Sequence, residues 1–171
     1  ALDLMQSGMG SAEAIEYIRA QGKFIEYRQV LAVDVEGATA IHSGPNSLGI
    51  WTQAQGRDVA SGGNMLANDR VPQAIVNGFL NSSGHLGDRL IAAMRAGLSA
   101  GGEAGPLHSA GMLMVDKLAW PVAELRCDWT DDCPIETVAA AWNVYKPQMY
   151  AYVQRAIDPR DAPSYGVPGD E

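Results

Sequence analysis

The chain has 171 residues, 47% of them hydrophobic and 19% charged, which suits a folded globular protein able to bury a core. Its net charge of -8 argues against a nucleic-acid ligand, whose phosphates need a basic footprint, and against an anionic membrane surface. No apolar run approaches the ~20 residues of a membrane span, so a cytoplasmic protein is expected.

In chain order, residues 1–5 read as the interior of a helix. A second helix starts at Ser11 as N-cap, with Glu13 in its first turn and a stripe of Ala14, Ile15 and Ile18, and stops at Gly22. Residues 26–35 switch to strand alternation, with Leu31, Val33 and Val35 on one face and Val30 and Ala32 on the other. Glu36-Gly37 turns the chain and residues 38–43 return. Both faces of this hairpin are apolar, which predicts cover on both sides. Residues 50–55 and 57–61 supply at least one further strand.

Beyond Asn64 the period lengthens to that of a helix. Val71, Ala74, Ile75 and Phe79 share a face, capped by Asn68 or Asp69, and Leu86, Leu90, Ala93, Met94 and Gly97 share another, entered through Ser82-Ser83-Gly84. A glycine-rich loop over 100–107 precedes strands at 109–115 and 122–128. A last helix begins at Asp132-Cys133-Pro134, carries a stripe from Ile135 through Trp142 and Tyr145 to Tyr152 and Ile157, and breaks at Pro147. This order predicts one α+β domain over 1–157, with helices on both faces of the sheets, and a proline-containing tail over 158–171.

Several residues invite a chemical reading. In Ser61-Gly62-Gly63-Asn64 two glycines permit positive φ or close approach, and the Asn64 amide can donate to a developing oxyanion or fix a turn. His42 ends a strand and is either a substrate contact or a hydrogen-bonded core histidine. His108 and Ser109 are neighbours on a strand, so their side chains point to opposite faces and form no dyad. Asp131-Asp132 suit a helix N-terminus better than paired-carboxylate chemistry. Arg28 and Asp34 form a buried pair or bind an anion. The Trp142, Tyr145 and Tyr152 stripe suits a core or a dimer contact. Gly101-Gly102 and Gly105 lack the Lys-Ser/Thr of a phosphate loop. Cys127 and Cys133 have no nearby histidine and do not match zinc spacing; two thiols are expected, and no metal.

Taken in order, Tyr27-Arg28-Gln29-Val30, Val33-Asp34, His42-Ser43-Gly44, Gly63-Asn64-Met65-Leu66, Asp88-Arg89-Leu90, Ala96-Gly97, Ala100-Gly101-Gly102 and Ser109-Ala110, with the tail from Ala162 to Asp170, resemble the DUF1028 family of the Ntn-hydrolase superfamily. The resemblance implies an αββα sandwich and an amidohydrolase or acylase acting on a small amide or acyl substrate without a cofactor. Two positions depart from the family pattern, Gly62 and His108 standing where it has Gln. The family also carries two earlier strands that start with a Thr or Ser nucleophile, whose own α-amine is the base. The resemblance therefore implies that the fold here lacks its first two strands and that the nucleophile is not in this chain, since Ala1 has no attacking atom. Asn64 is then the oxyanion or orienting residue, with Gly63, Asn64, His42, Arg28 and Ser109 as substrate contacts. A homodimer or larger homo-oligomer is expected. The competing expectation is a non-catalytic binding or assembly module of the same fold.

Overall fold

In the computed structural model, which describes residues 1–164, the chain divides into two units at Leu107. The tail motif from Tyr165 onward lies outside the described residues.

The first unit opens with α1 (Leu2–Gln6) and α2 (Ser11–Gln21). The N-cap of α2 is Gly10, one residue before the expected Ser11. The cap is supplied from far along the chain, because Asp34 Oδ2 accepts the Ser11 N–H at 2.9 Å while Glu13 closes back on the Gly10 N–H at 3.2 Å. Asp34 lies in the turn between β1 (Gln29–Val33) and β2 (Thr39–Ser43), where its Oδ1 accepts the N–H groups of Glu36 and Ala38 and Gly37 takes φ 77°. One carboxylate thus closes a hairpin and starts a helix. The Ser11 amide, with Ala38 and Glu36 adding to it, holds that carboxyl below its ordinary value. The buried Arg28–Asp34 pair weighed from the sequence is not formed.

The β1–β2 ladder is antiparallel from Gln29↔Ser43 to Val33↔Thr39. A second hairpin joins β3 (Thr52–Gly56) to β4 (Val59–Gly63), registered from Thr52↔Gly63 to Gly56↔Val59. Alternation decides what each face meets. Gln29, Leu31 and Thr39 point toward the second hairpin: Thr39 Oγ1 donates to the Gly56 carbonyl at 3.2 Å, and Leu31 lies against Gly62. The opposite face, with Ala32 and His42, lies toward α2. Small residues at Ala60 and Gly62 allow the hairpins to stack closely.

The far side of the second hairpin buries Ala54 and Val59 against Val76 and Phe79 of α3 (Val71–Leu80) and Ala93 of α4 (Leu86–Ser99). Gly78 and Gly97 let these helices touch; a Cβ on either would come within 2.6 Å of the side chain opposite. The first unit therefore runs α2, β1–β2, β3–β4, α3–α4 in layers. Cover of the first hairpin is incomplete, since Leu31 and Val33 remain 37% and 39% exposed. Val35, expected in the strand, lies beyond it and is fully exposed.

In the second unit, β5 (Ala110–Met114) and β6 (Ala123–Cys127) pair antiparallel and pack on α5 (Pro134–Tyr145). Met112, Met114, Ala123 and Cys127 are buried, as are Ile135, Val138, Ala139 and Trp142 of α5. Cys133, not Asp132, is the α5 N-cap, and both cysteines are free. The expected break at Pro147 is a 3₁₀ turn over Lys146–Gln148, followed by α6 (Met149–Ile157). Tyr145 anchors this end by donating to the Val122 carbonyl at 2.8 Å. The apolar stripe is core only as far as Met149, because Tyr152 and Ile157 are largely exposed. Among the described residues the strands form three two-stranded antiparallel ladders, so the fold is α+β. No described helix is long and apolar enough to cross a membrane.

Candidate functional site

The end of β4 and the segment after it lie beside the first hairpin, where the two ladders stack. Gly62 and Gly63 both keep extended backbone; their value is close approach. A Cβ on Gly62 would stand 3.4 Å from Leu31 Cδ2, and one on Gly63 would come within 2.9 Å of Leu66 Cδ2. The positive φ expected of this tract falls on Met65, at 54°, opposite Gly49 at 67°. Residues 48–50 run beside 65–66, with the Met65 and Leu66 N–H groups donating to the Leu48 and Ile50 carbonyls, each at 2.9 Å. On the other side the Met65 carbonyl accepts the Ala104 N–H at 2.8 Å. The tract is thus held from both flanks before α3 begins. Asn68, expected as the α3 cap, lies two residues before the N-cap Arg70, whose N–H its Oδ1 accepts at 3.0 Å, while its Nδ2 donates to the Ala100 carbonyl at 2.8 Å.

Asn64 is exposed, and its Nδ2 donates to the Leu48 carbonyl at a long 3.4 Å. The side chain that organises this end is Gln29. Its Nε2 lies 2.9 Å from Ser43 Oγ, 3.2 Å from the Gly63 carbonyl and 3.4 Å from the Thr52 carbonyl, so one amide nitrogen ties both ladders together beside Gly63. Gln29 and Ser43 are cross-strand partners. Neither residue carries a local chemical signature in the sequence; the available signal is the cross-strand pairing of a Gln and a Ser on the inward face.

The other expected contacts lie elsewhere. His42 is on the opposite face of β2, where Nε2 donates to the Ile25 carbonyl at 2.9 Å. Arg28 is exposed, its extended backbone turns its side chain away from that of Gln29, and it has no side-chain partner among the described residues. The two side chains bonded beside Gly63, Gln29 and Ser43, are uncharged. Gly63 and Asn64 are brought together with Gln29 and Ser43, and His42 and Arg28 are not.

Ser109 belongs to the second unit, at the edge of a shallow groove along the β5–β6 ladder lined by residues 109–113 and 124–128. His108 forms no bond to it. Its Nδ1 donates to the Thr130 carbonyl at 2.9 Å, and its ring stacks on Trp129 with centroids 4.0 Å apart. Asp131 stands 3.8 Å from the same nitrogen. No cluster of His, Cys, Asp or Glu among the described residues is placed to hold a metal ion.

A family model described as "Family of unknown function (DUF1028)" matches residues 1–138. The chain is similar to a solved structure described as protein SPO2555 from Silicibacter pomeroyi, itself assigned to DUF1028, with a TM-score of 0.75 and 28% sequence identity. The match covers 85% of this chain and 64% of that one, so this chain spans less than two thirds of its relative's length. No match is found among curated proteins.

Proposed function

The chain belongs to the DUF1028 family of unknown function, and on that premise we propose that it is the larger part of an Ntn-type amidohydrolase or acylase acting on a small amide or acyl substrate. The observation that carries this reading is the layering of the first unit: helix, hairpin, hairpin, helices, with Gln29 joining the two hairpins next to Gly63 and Asn64. That arrangement supports an αββα sandwich completed by strands outside this sequence. The chemistry assigned to it is acyl transfer. A Thr or Ser hydroxyl outside these residues attacks the substrate carbonyl, its proton passes through the α-amine to the leaving amine, and water then cleaves the acyl ester. Asn64, with its carboxamide exposed, stabilises the oxyanion or orients the substrate. Gly63 is assigned to the substrate contacts beside it.

The test is a panel of small amides and acyl-amino acids assayed with the full-length gene product. Turnover that disappears when its first Thr or Ser is replaced by Ala is expected. Absence of turnover across the panel removes the reading. A second reading, a non-catalytic assembly module, is favoured by the exposed apolar groups of the last helices, Val144 at 67% and Ile157 at 58%. They also make a homodimer or larger homo-oligomer the proposed state, and the cytoplasm remains the proposed location.

A further inference from the structure

We propose that the outer face of the β5–β6 ladder is a docking groove for a basic peptide segment of a protein partner, laid extended across Gly111 between Glu124 at one end and Asp128 with Trp129 at the other. The groove belongs to the second unit and is independent of the amidohydrolase reading of the first. Strand alternation leaves this face of the ladder uncovered. Met112, Met114, Ala123 and Cys127 are buried, whereas Gly111, Leu113, Glu124, Arg126 and Asp128 are exposed and line a groove of about 370 Å³. Gly111 stands opposite Arg126, midway along it. A glycine inside a strand costs stability, because it packs no side chain and gives up more backbone freedom. Neither usual reason for one applies here: Gly111 has no positive φ, and a Cβ on it would meet nothing nearer than the Leu125 carbonyl at 3.6 Å. The remaining role of such a glycine is to let another chain approach the bare backbone closely.

The charge of the face selects that chain. Both Arg126 bonds, at 3.1 and 2.7 Å, go to Asp128 Oδ1, so the guanidinium is neutralised and Asp128 Oδ2 has no bond among the described residues. Glu124, opposite Leu113, makes no hydrogen bond or ion pair there either. Beyond Asp128, Trp129 is 70% exposed, yet its ring is fixed in place. His108 stacks on one indole face with centroids 4.0 Å apart and is itself held to the Thr130 carbonyl. The other indole face is open, and Asp131 adds a carboxylate beside the stack. An open indole face next to carboxylates attracts a guanidinium or ammonium group through both its quadrupole and their charge. An acidic segment is repelled at both ends, and an apolar one takes water from carboxylates it cannot pair. Glu124 and Asp128 lie four positions apart on one strand direction, about 13 Å, which a compact amine cannot bridge. Residues i and i+4 of an extended peptide match that span and share a face, with the exposed Leu113 as an apolar contact between them.

The experiment is a fluorescence-anisotropy titration of the full-length gene product with three labelled five-residue alanine peptides, carrying arginine at both ends, glutamate at both ends, or two arginines side by side at one end. The first is expected to bind saturably and more tightly than the third, and the second not to bind. Glu124→Lys and Trp129→Ala should each weaken the first peptide by about tenfold. Gly111→Val should abolish its binding while the melting temperature stays the same or rises, since the strand has room for the side chain and favours it. Glu36→Lys, the same charge change at an exposed turn of the first unit, should leave binding unaltered, which separates the groove from attraction by the whole acidic molecule. No saturable binding, binding of either control peptide as tight as that of the first, or equal losses in Glu36→Lys and Glu124→Lys overturns the proposal. A folded Gly111→Val variant that binds as before overturns it too. So does one that shifts the protein toward monomer in sedimentation velocity with peptide binding intact, which assigns the groove to a second copy. Should Gly111→Val fail to fold, the comparison of Glu124→Lys with Glu36→Lys decides.

Discussion

At the scale of single residues, two polar side chains do work that reaches far along the chain. Gln29 donates to acceptors on three strands, so replacing its N–H donors is more damaging than shortening an exposed side chain. Gln29→Glu keeps the shape and sets a carboxylate against two carbonyl oxygens. Those carbonyls raise the new carboxyl's folded pKa above its unfolded value, so the charged form is the destabilised one. A loss of about 1–3 kcal/mol is expected at neutral pH in urea unfolding, and it should shrink as pH falls through the carboxyl's titration and an O–H donor returns. A loss independent of pH contradicts the geometry. Asp34 has the opposite sign. Its folded pKa lies below the ordinary value because the Ser11, Ala38 and Glu36 amides favour the carboxylate, so its contribution is present above the ordinary carboxyl range and is lost as pH falls through the lowered value. Asp34→Ala should lower the melting temperature at neutral pH, and the gap to the unaltered protein should close in acid. Neither role was legible locally. Asn64 drew notice because it follows two glycines, but it holds one long bond to Leu48, while Gln29 acts through partners on strands that sequence spacing alone does not bring together.

Among the elements, helices and hairpins were readable wherever one face is buried continuously. The periodicity of α3 and α4 comes from such faces, whereas β1 and β2 alternate although Ala32 is their one buried residue. Boundaries were less legible, for reasons that lie in tertiary contacts. The α2 start is set by a carboxylate from the β1–β2 turn, and Asn68 bonds the loop after α4. The stripe along the last helix overstates the core, because after Pro147 only Met149 of α6 is buried. The α3–α4 contact makes its own prediction. A Cβ added to Gly78 would meet Ala96 Cβ at 2.6 Å and the Ala92 carbonyl at 3.1 Å, so Gly78→Val cannot be relieved by one rotamer. It should cost about 1–3 kcal/mol, seen as a lower urea midpoint with unchanged slope. Phe79→Ala, at 4% exposure in the same cluster, should cost about 3–5 kcal/mol by leaving a cavity. An unchanged midpoint in both variants contradicts the packing described.

For the molecule as a whole, the α+β class followed from the order of the elements, whereas the stacking of one hairpin on the other did not follow from periodicity. Alternation says that a strand has two faces without saying what meets each; the identity of the partner rests on Gly62, Thr39 and Gln29 touching the other ladder. The exposed apolar groups of α5 and α6 belong to this scale as well. Val144→Glu together with Ile157→Glu should shift the full-length gene product toward monomer in sedimentation velocity, and an unchanged distribution removes that surface as the oligomer contact.

The central claim, proposed above, is that the segment beside Gln29 and Gly63 serves acyl transfer by a nucleophile outside these residues. It is tested most directly by treating the full-length gene product with an activated acyl probe and locating the adduct by peptide mass spectrometry. The account predicts one acyl group on a Thr or Ser hydroxyl outside the 171 residues, lost when that residue is replaced by Ala. An adduct on Ser43 or another residue of this chain, or no adduct in a folded and homogeneous protein, contradicts it.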